Sequence, residues 1–444
     1  MKLTSYSAYK PSGIGWLGDV PKHWNVLPNR AIFTEVNEQN YPEKKMLSVT
    51  IKNGVIPQQE LLADTSKKDS SRLDKCSYKL VRPGDIAYNK MRVWQGAVGV
   101  SAFRGIISPA YVVQRPRKGI NSRYFHNLLR IPAFSKEAER WSYGITSDMW
   151  SLRPEHFKMI YSCIPPLSEQ NTIVRYLNHT NEHIHSYINA KERLINLLEE
   201  QRQAIIQRAV TRGLDPNVRL KPSGVEWLGE VPAHWEMWRL KHAATLNPSR
   251  AESRSSLMPA TAVTFLPMER VRSDGRIDPQ EIIPASRVWK GFTYFRKNDV
   301  LVAKITPCFE NGKGAHLHSL PTEVGFGSTE FHVLRAKSFV LPQFLYLLTK
   351  TSEFRRLGAD AMTGAAGQQR VPSSFVANYP MSLPPLAEQT AIVEYLEKAT
   401  TDIDSATHRA RREIELLKEY RTRLTADVVT GKLDVREAAN VLPH

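Results

Sequence analysis

Two stretches of this chain are written twice. Residues 11–24 read PSGIGWLGDVPKHW and residues 222–235 read PSGVEWLGEVPAHW, an offset of 211 positions. Residues 165–177 read PPLSEQNTIVRYL and residues 384–396 read PPLAEQTAIVEYL, at an offset of 219 that runs without a gap to VTRGLD (210–215) and VTGKLD (429–434). The order is module, variable region, helix, and then the same again. Two copies are too few for a solenoid, so the chain reads as a duplicated scaffold carrying two diverged domains. The variable regions, about 25–163 and 236–382, share little sequence. RPGDIAYNK (82–90) aligns with RKNDVLVAK (296–304), matching Asp85 to Asp299 and Lys90 to Lys304. Gly144 and Gly364 each open a small-residue stretch ahead of the PPL segment.

After each PPL segment the apolar residues fall mostly three, four and seven apart. The first stripe is Ile173, Leu177, Ile184, Ile188, Ile195, Leu198, Ile205 and Ala209; the second runs from Ile392 through Leu396, Ile403, Ala410, Ile414 and Leu424 to Val428. This spacing predicts coiled-coil helices. Pro165-Pro166 and Pro384-Pro385 put the starts after them, with Ser168 as an expected N-cap. Gly213 and Gly431 suit the ends, where a left-handed residue is needed. Each helix then spans about 44 residues, or ~65 Å. Such helices could join two chains in a dimer. Pairing within the chain is the preferred reading, because a folded domain connects them. The expected fold is α+β: two mixed α/β domains joined by two long antiparallel coiled-coil helices with pseudo-two-fold symmetry. The expected boundaries are 1–163, 164–213, 214–382, 383–434 and a tail at 435–444.

Charge narrows the function. Sixty-one Lys and Arg against 44 Asp and Glu give +17 over 444 residues, which points to a polyanion. The basic residues are scattered through folded-looking sequence, which favours nucleic acid over a membrane surface. No apolar run approaches the ~18 residues of a membrane span, and MKLTSYSAYKPSG lacks the apolar core of a secretory signal. Cys76, Cys163 and Cys308 stand far apart, against a disulfide framework or cysteine-built zinc site. A cytoplasmic protein fits.

The variable regions mix strand-like runs and turns, as in VGVSAFRGIISPAYVVQRP (98–116) and GSTEFHVLRAK (327–337). Each continues into a helical patch, RYFHNLLR (123–130) or PQFLYLLTK (342–350). The expected contact surfaces are the loops after the aligned Asp strand. One is NKMRVWQG, with Lys90, Arg92, Trp94 and Gln95; the other is AKITPCFENGKG, with Lys304, Thr306, Asn311 and Lys313. Lys and Arg can clamp phosphate or pair with guanine, and Asn and Gln can pair with adenine edges. GITSDMW (144–150) and GAAGQQR (364–370), with Gln368, Gln369 and Arg370, form a second candidate pair.

Catalytic signatures are missing. Gly312-Lys313 lacks the rest of a phosphate-binding loop. No Asn/Asp-Pro-Pro-aromatic methyltransferase motif and no GxSxG elbow occurs. His179, Glu182 and His183 match the HxxEH zinc pattern, but lie opposite the Leu177/Ile184 stripe, on a face expected to be solvated, and the repeat has Lys398 and Asp402 at the histidine positions. His316 and His318 read as a polar loop. Trp16, Trp24, Trp227 and Trp235 recur identically in both copies and read as buried anchors.

The chain resembles the specificity subunits of Type I restriction enzymes. The resemblance covers nearly the whole chain. It rests on the two PPLxEQxxIVxYL segments with their long helices, the repeated PSGxxWLGxVPxHW modules, and the strands at Gly84-Asp85-Ile86 and Asn298-Asp299-Val300, where the second copy departs from Gly-Asp. It implies two target-recognition domains that read a bipartite site on double-stranded DNA, with a fixed non-specific spacer between the halves. It implies two modification subunits that bind S-adenosylmethionine and methylate adenine, and motor–nuclease subunits that cleave unmodified DNA after ATP-driven translocation, with Mg expected there as well. It implies no active site and no cofactor in this chain. A stand-alone architectural DNA-binding protein on the same scaffold is the alternative; a metal hydrolase using HxxEH is the remaining one. As the only rigid connection, the helices are expected to set the spacer. Because NKMRVWQG does not match AKITPCFENGKG, the two halves should differ. Sequencing methylated host DNA should return an asymmetric motif, and exchanging residues 236–382 for another variable region should change one half alone; a palindromic motif would contradict independent reading.

Overall fold

A computed structural model describes residues 3–63, 75–145, 149–255, 257–365 and 367–442. It contains two compact units, Met1–Lys191 with Arg412–His444, and Glu192–Arg411. Each therefore holds a globular part together with one end of each long helix.

In the first unit the Trp module forms a hairpin, Tyr9–Pro11 against Asp19–Pro21. The strand Asn25–Pro28 then pairs antiparallel with Tyr161–Ile164, so the variable region leaves and returns at one place. Its central sheet is antiparallel, in the order Phe33–Val36, Tyr111–Pro116, Ile86–Asn89, Val98–Val100. Two smaller strand pairs adjoin it: Leu47–Thr50 with Gly54–Pro57, and Lys79–Val81 with Gly105–Ile107. The helices Ser122–Leu128, Pro132–Arg140 and Pro154–Met159 complete the unit.

The second unit repeats this frame. Leu220–Pro222 pairs with Glu230–Pro232, and Glu236–Arg239 with Pro380–Leu383. Its central sheet has the corresponding order Ala244–Leu246, Phe331–Ala336, Val300–Ala303, Gly314–His316. The flanking strands also keep one order, joined in the first unit by the isolated parallel bridge Met46 to Ile106 and in the second by a longer parallel pairing. A second four-stranded sheet, Ile282–Pro284, Ala262–Leu266, Val324–Gly327, Thr293–Arg296, contains one parallel pairing. His316 therefore belongs to a strand and is buried, which corrects the expectation of a polar loop; burial, with His318 alongside, pushes its imidazole down to about 4.

The long helices run Leu167–Arg212 and Leu386–Val429. Gln170 donates its amide to the Pro166 carbonyl at 2.9 Å. Ser168 thus lies within the first turn and not at the cap: the rigid proline pair delivers the chain into the helix two residues earlier than the side-chain chemistry suggested. Antiparallel pairing appears within each unit. In the first, Ile184 and Ile188 are buried, as are Ile414 and Leu424, and Lys191 meets Glu413 at 2.6 Å. In the second, Glu199 meets Arg411 at 2.7 Å and Arg202 meets Asp404 at 2.9 Å, beside buried Ile195, Ile206, Ile403 and Ala410. Ile206 takes the buried place expected of Ile205, which is only partly covered.

The repeated residues converge on one arrangement, built once in each unit. Trp24 and Trp235 are fully buried. The Trp24 indole N–H donates to the Glu169 carboxylate at 3.0 Å, alongside the Tyr6 hydroxyl at 2.6 Å and His23 at 2.7 Å. Trp235 and His234 bind Glu388 at 3.0 and 2.8 Å. The neighbouring glutamine is used on both sides. Gln170 accepts from the Asn121 amide and donates to the Pro165 carbonyl; Gln389 accepts from the Leu341 amide and donates to the Pro384 carbonyl. Helix starts are thereby bound to the Trp module and to the helical patch of the variable region.

Helix ends reach the same tryptophans. Gly213 (φ +72°) and Gly431 (φ +76°) turn the chain out of the helices. A Cβ on either would fall 3.3 Å from the Trp235 ring or 3.2 Å from the Trp24 ring, so glycine is required by conformation and by space. In the first unit the helix end and the module are far apart in sequence, yet Asp434 donates its amide to the Thr4 carbonyl at 2.8 Å, and the Tyr9 hydroxyl donates to the Gly431 carbonyl at 3.1 Å. The offset of 211 carries Thr4 to Asp215, and the offset of 219 carries Asp215 to Asp434. Two residues in contact thus occupy the place that one residue fills in the other copy. Linking residues 442 and 3 through a short flexible segment and reopening the chain between Pro216 and Arg219 should therefore give a protein with unchanged far-ultraviolet circular dichroism and a thermal midpoint within ~5 °C of the parent; an unfolded permutant would refute the equivalence.

Candidate nucleic-acid interface

In each unit a buried carboxylate fixes the strand from which the candidate loop springs. Asp85 is 2% exposed and precedes the strand Ile86–Asn89. It accepts from the Arg82 amide at 2.9 Å and from Arg115 through Nε at 2.8 Å and Nη2 at 3.0 Å. Asp299 accepts from the Arg296 amide and from Arg335 Nε and Nη2, all at 2.7 Å. A buried carboxylate demands such partners. Glu38 and Glu252 bind the same two arginines from the other side. The departure from Gly-Asp in the second copy changes little: Gly84 has φ +90° and Asn298 has φ +69°, and asparagine is among the few side chains that tolerate this region.

The first loop leaves the strand at Asn89 and closes through the short helical turn Val93–Gln95 and Gly96. Val93 is the buried anchor, while Arg92 and Gln95 are exposed and Lys90 is half-buried. Trp94 is half-buried; its indole N–H donates to the Met91 carbonyl at 2.9 Å, and its ring stands edge-on to Trp150 at 5.7 Å. The indole is thus part of the loop's framework. The second candidate stretch lies alongside: Leu152 donates its amide to the Lys90 carbonyl at 2.9 Å, and Tyr143 bridges Ser151. Residues 146–148 of GITSDMW lie outside the described residues.

The second unit brings its two stretches together in the same way. Val371 donates to the Lys304 carbonyl at 2.8 Å, and Thr306 binds the Gln369 carbonyl through both amide and hydroxyl at 3.0 Å. Phe309 plugs the loop into the core. Asn311 and Gln368 are exposed, whereas Lys304, Lys313 and Gln369 are half-buried. Two basic candidates are already engaged. Lys313 Nζ donates to the Met268 carbonyl at 3.1 Å. Arg370 forks onto Glu330 at 2.8 and 2.9 Å and holds that carboxyl below its ordinary range. Ala366 of GAAGQQR lies outside the described residues.

The remaining sequence candidates separate from these loops. His179 and His183 stand edge-on at 4.4 Å, with Glu182 and His183 exposed. Among the described residues no group of three or more His, Cys, Asp or Glu could hold a metal ion, and no helix is long and apolar enough to cross a membrane. Cys163 and Cys308 carry free thiols. Sequence reasoning missed Arg130 and Lys350, which bind the loops from beneath; their only signal was a shared place at the ends of the two helical patches.

Residues 235–416 match the model of the Type I restriction modification DNA specificity domain. The chain is 41% identical over 172 residues to the Type I restriction enzyme EcoEI specificity subunit of Escherichia coli, across 38% of this chain and 28% of that one. It is 39% identical over 167 residues to the EcoAI specificity subunit, also of Escherichia coli, across 37% and 28%. These two matches thus span less than a third of the relatives' own length. The StySPI specificity subunit of Salmonella potsdam is 21% identical across 94% of both chains. A solved structure from a study of complex assembly and conformational transition in the type I R-M system has the same fold, with a TM-score of 0.66 at 15% identity over 93% of this chain and 99% of that one.

The buried carboxylates offer a test of the frame. Asp85→Ala strands part of the Arg115 guanidinium and leaves the Arg82 amide without its acceptor. Urea unfolding should show a loss of about 3 kcal/mol, and Asp299→Ala a similar loss in the second unit. Changes below ~0.5 kcal/mol in both would remove these residues as the support of the loops.

Proposed function

We propose that the chain, whose residues 235–416 match the Type I restriction modification DNA specificity domain, is the DNA-reading specificity subunit of such a complex, each unit reading one half of a bipartite, asymmetric target. The observation that carries this reading is the pairing of an invariant frame with unlike loops. Both units have the same four-stranded order, the same Asp–Arg brace and the same junction of two loop segments. What they display differs: Lys90, Arg92 and Gln95 in one, and Lys304, Asn311 and Gln368 in the other. A frame of this kind suits sequence readout, which needs fixed geometry and exchangeable side chains. The excess of 17 positive charges supplies the attraction to the phosphate backbone.

On this reading the chain is not itself an enzyme. Two modification subunits supply S-adenosylmethionine and adenine methylation, and motor–nuclease subunits supply ATP- and Mg-dependent cleavage. The complex works in the cytoplasm, on double-stranded DNA. Lys90 and Lys304 follow the braced strands directly and are the first candidates for phosphate contact. Arg370 and Lys313 join them only by exchanging their present partners.

Lys90→Ala and Lys304→Ala should each weaken duplex binding and reduce the slope of log K against log salt by about one unit. A guanine contact would instead relax the preference at one position of the motif. Unchanged affinity, slope and preference in both variants would take these loops out of the reading surface.

A further inference from the structure

Each recognition loop is held from beneath by a cation, half-buried Arg130 in the first unit and buried Lys350 in the second. Arg130 follows the helix Ser122–Leu128, and Lys350 follows the helix Pro342–Thr349, at matching places in the two copies. One half of the Arg130 fork, Nη1, donates to the Gly96 and Val98 carbonyls at 3.1 and 2.7 Å. The other half, Nη2, donates to the Ile51 and Lys52 carbonyls at 2.7 and 2.6 Å. Lys350 has a single nitrogen and divides it the same way, between the Gly312 carbonyl at 2.6 Å and the Ser273 carbonyl at 2.5 Å. Gly96 and Gly312 close the two recognition loops. The other acceptors belong to a second turn in each unit. In the first it joins the strands Leu47–Thr50 and Gly54–Pro57. In the second it is closed by the Arg272 amide donating to the Arg276 carbonyl at 2.9 Å.

One cation therefore ties two separate turns together in each unit, and with different chemistry. The acceptors are neutral carbonyls, so the positive charge is solvated but not cancelled. Such burial is costly: Lys350 is 6% exposed, and burial, aided by Arg355 and Arg202, brings its ammonium down to about 7. An apolar side chain would fill the space without that cost but could not hold two turns in register. The turns themselves present polar tips. Lys52, Asn53 and Arg272 are exposed, and they are suited to phosphate or base-edge contact.

We propose that Arg130 and Lys350 are positioning residues that hold the turns 51–53 and 272–276 against the recognition loops, and that these second turns belong to the DNA-reading surface through Lys52 and Arg272. The inference rests on the DNA-reading function proposed above. It extends the surface from two loop segments per unit to three, and places the third where the first-copy and second-copy sequences, IKNG and RSDG, again differ.

Two measurements on the full chain test it. Amide exchange without DNA reads the clamp alone: Arg130→Met should speed exchange in peptides covering 51–54 and 96–98 by about tenfold or more, Lys350→Met should do so at 272–276 and 312–314, and Lys350→Arg should restore protection. Selection from a randomised duplex pool reads the surface: Arg130→Met should blur one half of the selected motif and Lys350→Met the other. Should the methionine variants not fold, the exposed substitutions Lys52→Ala and Arg272→Ala decide the second point, each lowering the salt slope for a random-sequence duplex by about one unit. Unchanged exchange in folded methionine variants overturns the clamp whatever the DNA result. Faster exchange with both half-motifs intact, or unchanged slopes in both alanine variants, overturns the place of these turns in reading. A parent chain that selects no sequence overturns the DNA-reading function itself, while the exchange result still decides the clamp.

Discussion

Everything else in each unit hangs on a carboxylate at the start of a long helix. Glu169 receives the Trp24 indole, the Tyr6 hydroxyl and His23; Glu388 receives the Trp235 indole and His234. Glu169 is 6% exposed, and a charge so placed is tolerable only when donors surround it. The requirement works in both directions, because a buried indole N–H also needs an acceptor. Two stretches separated by 145 positions in one copy and 153 in the other are therefore obliged to meet. The adjoining glutamines extend the junction to the variable regions through the Asn121 and Leu341 amides.

That junction explains why two such different variable regions can occupy one scaffold. Each leaves and re-enters through the same strand pair, Asn25–Pro28 with Tyr161–Ile164 or Glu236–Arg239 with Pro380–Leu383. Between those points the central sheet and its Asp–Arg brace are kept, and the flanking strands keep their order while the extent of their pairing changes: one parallel bridge, Met46 to Ile106, joins two strand pairs in the first unit, and a longer parallel pairing makes a four-stranded mixed sheet in the second. The cation beneath each loop shows the same pattern. A guanidinium and an ammonium occupy one position, and each satisfies the carbonyls of two turns with the donors it has. What is kept is the connection, and the residue that makes it can vary.

The repeats, the long helices, their glycine ends and the burial of Trp24 and Trp235 were legible in the sequence, because each leaves a periodic or duplicated trace. Local rules failed where a neighbour overrode them. Ser168 has the chemistry of a cap, but the proline pair starts the helix ahead of it. His316 and His318 looked like a polar loop until the central sheet claimed His316 as an edge-strand residue. The partners of Trp94, the Trp150 ring and the Met91 carbonyl, were likewise visible only in the folded chain. The partner of Arg370, Glu330, lies 40 positions away and left no local trace.

The sequence by itself determined the duplication, the two helices and the chemical character of the loops, since these depend on spacing and residue type along the chain. Only the tertiary structure decided which residues join. Glu169 to Trp24, Asp85 to Arg115, Asp434 to Thr4, and Arg130 to two turns at once are contacts between segments 30 to 430 positions apart. Partners of that kind are selected by the need to satisfy every buried donor and acceptor together, and that need exists only once the chain has closed around them.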